Sequence, residues 1–168
     1  MNLDFQPSRR RALSLFAVAV IAAVALPDAA RAYDETSTSA VNVDAKGVAL
    51  KGFDPVSYFK AGGPKQGTAK LTAAFEGATY RFANADNQKL FVADPAKYAP
   101  SYGGFCAMGV ALGKKLDVDP MAWRVVDGKL YLNVSKDVQK RWLDDVPGNL
   151  TQADKTWVQL KDRAPKSL

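Results

Sequence analysis

Histidine is absent from this chain of 168 residues, and cysteine occurs once, as Cys106. Each shortage closes a class of chemistry. Without an imidazole there is no Cys–His or Ser–His pair to raise a nucleophile. With one thiol there is neither an internal disulfide nor a dithiol redox couple. A closed zinc site, which takes four nitrogen or sulfur ligands, has only this one. Charge is not concentrated either: the formal balance is +6, but the lysines and arginines lie scattered, which argues against a nucleic-acid partner. Long apolar runs are also missing. The longest, residues 12–26, falls short of the ~20 residues of a membrane-spanning helix and stops at Pro27-Asp28.

What is present begins at the N-terminus. Arg9, Arg10 and Arg11 precede the alanine-rich apolar run, and Ala30-Arg31-Ala32 follows it as a small-x-small cleavage pattern. Ser8-Arg9-Arg10-Arg11-Ala12-Leu13 resembles the twin-arginine export pattern, with Ala12 where a phenylalanine is usual. Residues 1–32 are therefore expected to be an export signal read by the twin-arginine or the Sec machinery. Cleavage after Ala32 would leave a chain beginning at Tyr33, periplasmic or secreted, with no stable membrane anchor. The cut removes four arginines against Asp4 and Asp28, so the positive balance shrinks.

Residues 33–47 are rich in Ser, Thr, Asp and Ala and predict a flexible leader. Order is expected from Val48, with Val48-Ala49-Leu50 as a short strand. Asp54-Pro55 is a helix start: the aspartate caps a free N–H, and the proline has none to waste. Residues 71–75 and 79–83 flank a Gly77 loop as a β-hairpin, and residues 123–126 and 129–132 do the same around Asp127-Gly128. A helix runs from Asn84 to Ala93. Ser135 caps another, carrying Val138 and Trp142, which Pro147-Gly148 breaks. A last helix begins near Thr151 with Ala153, Trp157 and Leu160 on one stripe. The tail, 163–168, reads as basic and loose. No internal repeat is visible. The sum is a small α+β domain over 48–162, two β-hairpins forming an antiparallel sheet packed by several short helices. A core of that size needs no metal to fold.

Gly77-Ala78-Thr79-Tyr80-Arg81-Phe82, then Leu90-Phe91, then Asp94-Pro95-Ala96-Lys97-Tyr98 resemble the YHS domain. Residues 50–59, 102–107, 117–123 and 127–133 resemble its exported, single-domain branch. The resemblance implies a small domain of the kind found beside copper and other heavy-metal transport modules, with metal binding or sensing as its role. In metal-associated members the second hairpin strand leads into C-S-x-x-C, sometimes after a histidine. Here those positions hold Ala83, Asn84 and Asn87, with Arg81 in the histidine's place. An amide and a methyl group do not replace soft ligands, so that metal site does not carry over.

The remaining candidate is the stretch around Tyr102-Gly103-Gly104-Phe105-Cys106-Ala107-Met108. Tyr102, Gly103, Gly104 and Cys106 are the expected ligand-contacting residues. Cys106 and Met108, a thiolate and a thioether, suit a soft metal such as Cu(I) without any histidine. That pairing needs an extended segment, since residues two apart face one side of a strand and diverge by about 200° on a helix. Three readings stay open. The first is a non-catalytic exported domain binding a soft metal through Cys106. The second is an accessory domain that docks a partner, with Cys106 buried in its core. The third is a single reactive thiol. The identity of any protein partner is not written in the residues.

Overall fold

The computed structural model describes Met1 and residues 33–168, so the expected export signal and its cleavage site lie outside the described residues. Strands β1 (Thr68–Phe75) and β2 (Ala78–Phe82) form one antiparallel hairpin, and β3 (Asp119–Val126) and β4 (Lys129–Asn133) form a second. Helices α1 (Ala85–Ala93) and α2 (Pro95–Tyr98) follow the first hairpin, and α4 (Lys136–Asp144) and α5 (Val146–Leu160) follow the second. A short helix, α3 (Ala107–Ala111), and a 3-10 turn at Pro55–Phe59 each precede a hairpin. This is the α+β class expected.

The hairpins are two separate two-stranded sheets, not one continuous sheet. Isolated parallel bridges meet β2 and β4 instead: Val48 with Thr79 on β2, and Pro100 with Leu130 and Cys106 with Leu132 on β4. Val48 does not continue into a strand, because Leu50–Gly52 turns left-handed. Helix α5 starts before the expected break: Pro147 sits in its first turn, where a missing N–H costs nothing, and Asp145 caps it by accepting the Gly148 N–H at 3.0 Å.

The core has two parts. One gathers Val56, Tyr80, Phe82 and Phe91 of the first hairpin region and α1 with Leu132 of β4. The other gathers Phe105, Val110, Tyr131, Trp142 and Ala153 under α5.

Two expectations of looseness are corrected. The segment 33–47 is packed: Val41 is 2% exposed within the core, and the Asn42 N–H donates to the Gly103 carbonyl at 2.8 Å. Its few apolar side chains, Tyr33, Val41 and Val43, all find cover, which outweighs the polar composition. The tail packs too, with the Lys166 N–H on the Glu35 carbonyl at 3.0 Å. Lys115 fastens both ends. Its side chain is buried, with Nζ donating to the carbonyls of Ser39, Lys161 and Arg163 at 2.8, 3.0 and 2.8 Å. The Tyr33 hydroxyl donates to the Lys115 carbonyl.

Candidate functional site

Cys106 sits at the centre of the fold, 0% exposed, between the left-handed turn at Ser101–Gly104 and α3. It is the N-cap of α3: its sulfur accepts the Gly109 N–H at 3.3 Å, and its thiol lies 3.6 Å from Asn133 Oδ1, to which it donates. The backbone N–H of Cys106 is bound in turn to the Leu116 carbonyl. Burial pushes the thiol above its usual pKa, against the pull of the N–H groups of Gly109, Val134 and Met108. A thiolate is the nucleophile and metal ligand, so this environment keeps the sulfur quiet. The segment is not extended, because Met108 stands in the first turn of α3. The condition under which the two sulfurs would share a side is therefore not met. Among the described residues no group of three or more His, Cys, Asp or Glu side chains is placed to hold a metal ion.

The other expected ligand residues part company. Tyr102 and Gly103 line an open groove of about 920 Å³, while Gly104 and Cys106 do not. Tyr102 has a left-handed φ of 53°, unusual for a side chain of its size. Its hydroxyl donates to Asp154 Oδ1 on α5 at 2.8 Å, and its ring lies 5.8 Å from Tyr131 and 5.9 Å from Trp157. Burial, and then donation to Asp154, raise its pKa. Gly103 is required by a close approach, since a Cβ there would collide with the Ala40 carbonyl. The glycine pair thus seats the N-terminal segment on the turn.

The groove brings together parts that are far apart in sequence. Both hairpin turns reach it, through Glu76 and Asp127, and Trp157 and Asp154 of α5 line it too. Lys97, Lys129 and Lys161 add cations among these acids. Asp154 and Trp157 carried no signal as site residues, because a helix stripe of alanine, tryptophan and leucine reads as plain packing.

At the positions where the resemblance puts thiolates there is a hydrogen-bonded hub. Asp54 is 0% exposed and accepts four donors: the N–H groups of Val56 (2.9 Å), Ser57 (3.3 Å) and Ala83 (3.0 Å), and the Asn87 amide (2.6 Å). Lys60 Nζ donates to the other end of the Asn87 amide at 2.6 Å. A buried carboxylate so fully satisfied ties the Pro55–Phe59 turn, β2 and α1 to one atom pair.

Compared with known proteins, the chain matches no family model, no curated protein and no solved structure.

Proposed function

We propose that this is an exported, non-catalytic domain of the YHS type that docks a protein partner through the groove between its two hairpin turns, with Cys106 as an interior anchor. The observation that carries the reading is the convergence in one groove of both turns, the Tyr102 segment and α5. Its aromatic lining residues offer apolar contact, and its mix of lysines and acids suits a polypeptide segment of mixed charge better than an ion of one sign. Export rests on the N-terminal pattern, and the family on the ordered set of residues from Gly77 to Tyr98. The buried, hydrogen-bonded sulfur favours docking over the soft-metal and reactive-thiol readings.

The test is site-directed photocrosslinking in exporting cells. A photoreactive residue at Lys129 or Lys161, on the groove, is expected to give a discrete adduct, and one at the exposed Lys89 on α1 is not. No adduct from either groove position, or the same adduct from Lys89, would refute docking there. Anaerobic Cu(I) titration separates the rival reading. Equal, weak binding by the protein and its Cys106→Ser variant is expected. Tight binding lost in the variant would put the metal reading in its place.

A further inference from the structure

Residues 50–98 and 102–160 repeat one plan, although no repeat stands out on reading the sequence. Each opens on three consecutive left-handed residues: Leu50, Lys51 and Gly52 (φ 53°, 52° and 79°), then Tyr102, Gly103 and Gly104 (φ 53°, 59° and 80°). Each turn closes by a phenylalanine N–H, Phe53 to Leu50 O at 2.9 Å and Phe105 to Tyr102 O at 3.1 Å. The next residue caps a short helix and donates its own N–H to the chain ahead of the hairpin, Asp54 to Lys65 O and Cys106 to Leu116 O. Both hairpins have strands of eight and five residues. Their registers break at the same place, between the pairs Thr68–Phe82 and Thr72–Arg81 in one and Asp119–Asn133 and Trp123–Leu132 in the other.

The correspondence continues past the hairpins. α1 and α4 each have nine residues, capped by Asn84 and Ser135. The fourth residue of each, Gln88 and Gln139, reaches back to the carbonyl at the register break, of Thr72 and Trp123. Asp94 and Asp145 then end these helices with nearly the same backbone (φ −151°, ψ 76° and φ −146°, ψ 72°) and cap the next. Aligned this way, the side chains that agree include Gly52 with Gly104, Phe53 with Phe105, Gly77 with Gly128, Tyr80 with Tyr131, Asp86 with Asp137, Gln88 with Gln139, Lys89 with Lys140 and Asp94 with Asp145. These matches are scattered, so the repeat is faint in the sequence.

We infer that residues 50–98 and 102–160 are two copies of one structural unit, and that Cys106 is the second copy's Asp54, a positioning residue whose sulfur holds the Gly109 N–H where a carboxylate holds the corresponding donors in the first. The partners correspond in part. Val56, Ser57 and Ala83 donate to Asp54; of their counterparts, Gly109 donates to the Cys106 sulfur at 3.3 Å, while the N–H groups of Met108 and Val134 act on the thiol only by pulling its pKa down. The side-chain partner differs as well. Asn87 donates to Asp54, whereas Asn133 accepts, from the Cys106 thiol and from the Met108 N–H at 3.3 Å. Asn133 is 0% exposed, and its Nδ2 has no acceptor among the described residues. A carboxylate at 106 would take the Met108 N–H, letting the Asn133 amide turn and donate as Asn87 does.

Two substitution pairs in the full chain test this. Cys106→Asp is expected to melt several degrees above Cys106→Ala, with the Asn133 side-chain amide protons protected from exchange as those of Asn87 are. Reciprocally, Asp54→Cys is expected to melt above Asp54→Ala. If Cys106→Asp melts at or below Cys106→Ala, or Asp54→Cys does no better than Asp54→Ala, the correspondence is wrong, because an unmatched buried carboxylate destabilises more than a missing cap. The test is independent of the groove: failure of crosslinking leaves this ranking untouched.

Discussion

Gly103→Ala asks how much of the fold depends on the N-terminal segment lying against the Ser101–Gly104 turn. Two costs add. Gly103 has φ +59°, and a Cβ in that left-handed region costs roughly 1–2 kcal/mol. The Cβ also collides with the Ala40 carbonyl and comes within 3.0 Å of Val41 Cα, so residues 40 and 41 must move away. That breaks the Asn42–Gly103 hydrogen bond, about 1 kcal/mol, and draws Val41 partly out of the core, about another 1 kcal/mol. The total is about 3–4 kcal/mol, or roughly 7–14 °C in melting temperature for a chain of this size. Gly113→Ala is the internal control. Its φ is +79°, but nothing stands within 4 Å of the added atom, so only the backbone cost of roughly 1–2 kcal/mol applies. Urea unfolding followed by tryptophan fluorescence measures both. A Gly103→Ala loss no larger than that of Gly113→Ala would show that the segment is not held as described.

Further outcomes follow from the buried groups. Lys115→Ala removes the ammonium from the Ser39, Lys161 and Arg163 carbonyls, so trypsin should cut after Lys161 and Arg163 about tenfold faster; an unchanged rate would refute the fastening. Native Cys106 should resist thiol reagents until the protein unfolds, and rapid labelling of the folded protein would contradict its burial. Below the pH where the buried tyrosines begin to matter, the pH profile holds two opposed contributions. The Cys106 thiol is raised on folding, so its contribution is full below about pH 8.5 and is lost as pH rises. Lys115 is lowered by burial to about 8, so between there and about pH 10.4 the unfolded chain binds the extra proton and stability rises. Cys106→Ser should therefore turn the melting temperature upward across that window; a profile matching the parent's would contradict this.

Local chemistry made much of the fold legible. Asp54-Pro55, Asn84 and Ser135 announce helix starts, and Asp127-Gly128 announces a hairpin, because caps and tight turns are decided by neighbours in sequence. What was not legible is held by distant partners. Nothing near Val41 tells that it enters the core, since its cover comes from elements that follow much later. Lys115 reads as one more surface lysine until three carbonyls from both ends of the chain surround it. Asp54 was visible as a cap, but not as the acceptor of Ala83 and Asn87. The candidate site divided in the same way. The Tyr102–Cys106 stretch stood out for its lone thiol, yet the groove beside it depends on Asp154, Trp157 and the two hairpin turns, none of which signals a site alone.

The clasp of the two ends also bears on when folding can finish. Within each half the hairpin and the helix after it are neighbours in sequence, so they can form while the chain is still being made. The N-terminal segment cannot settle then: Asn42 waits for Gly103, Ser39 for Lys115, and Glu35 for Lys166. Each contact becomes possible only when its later partner has been made, so the N-terminal segment docks first on the Tyr102 turn, then at Lys115, and last at Lys166.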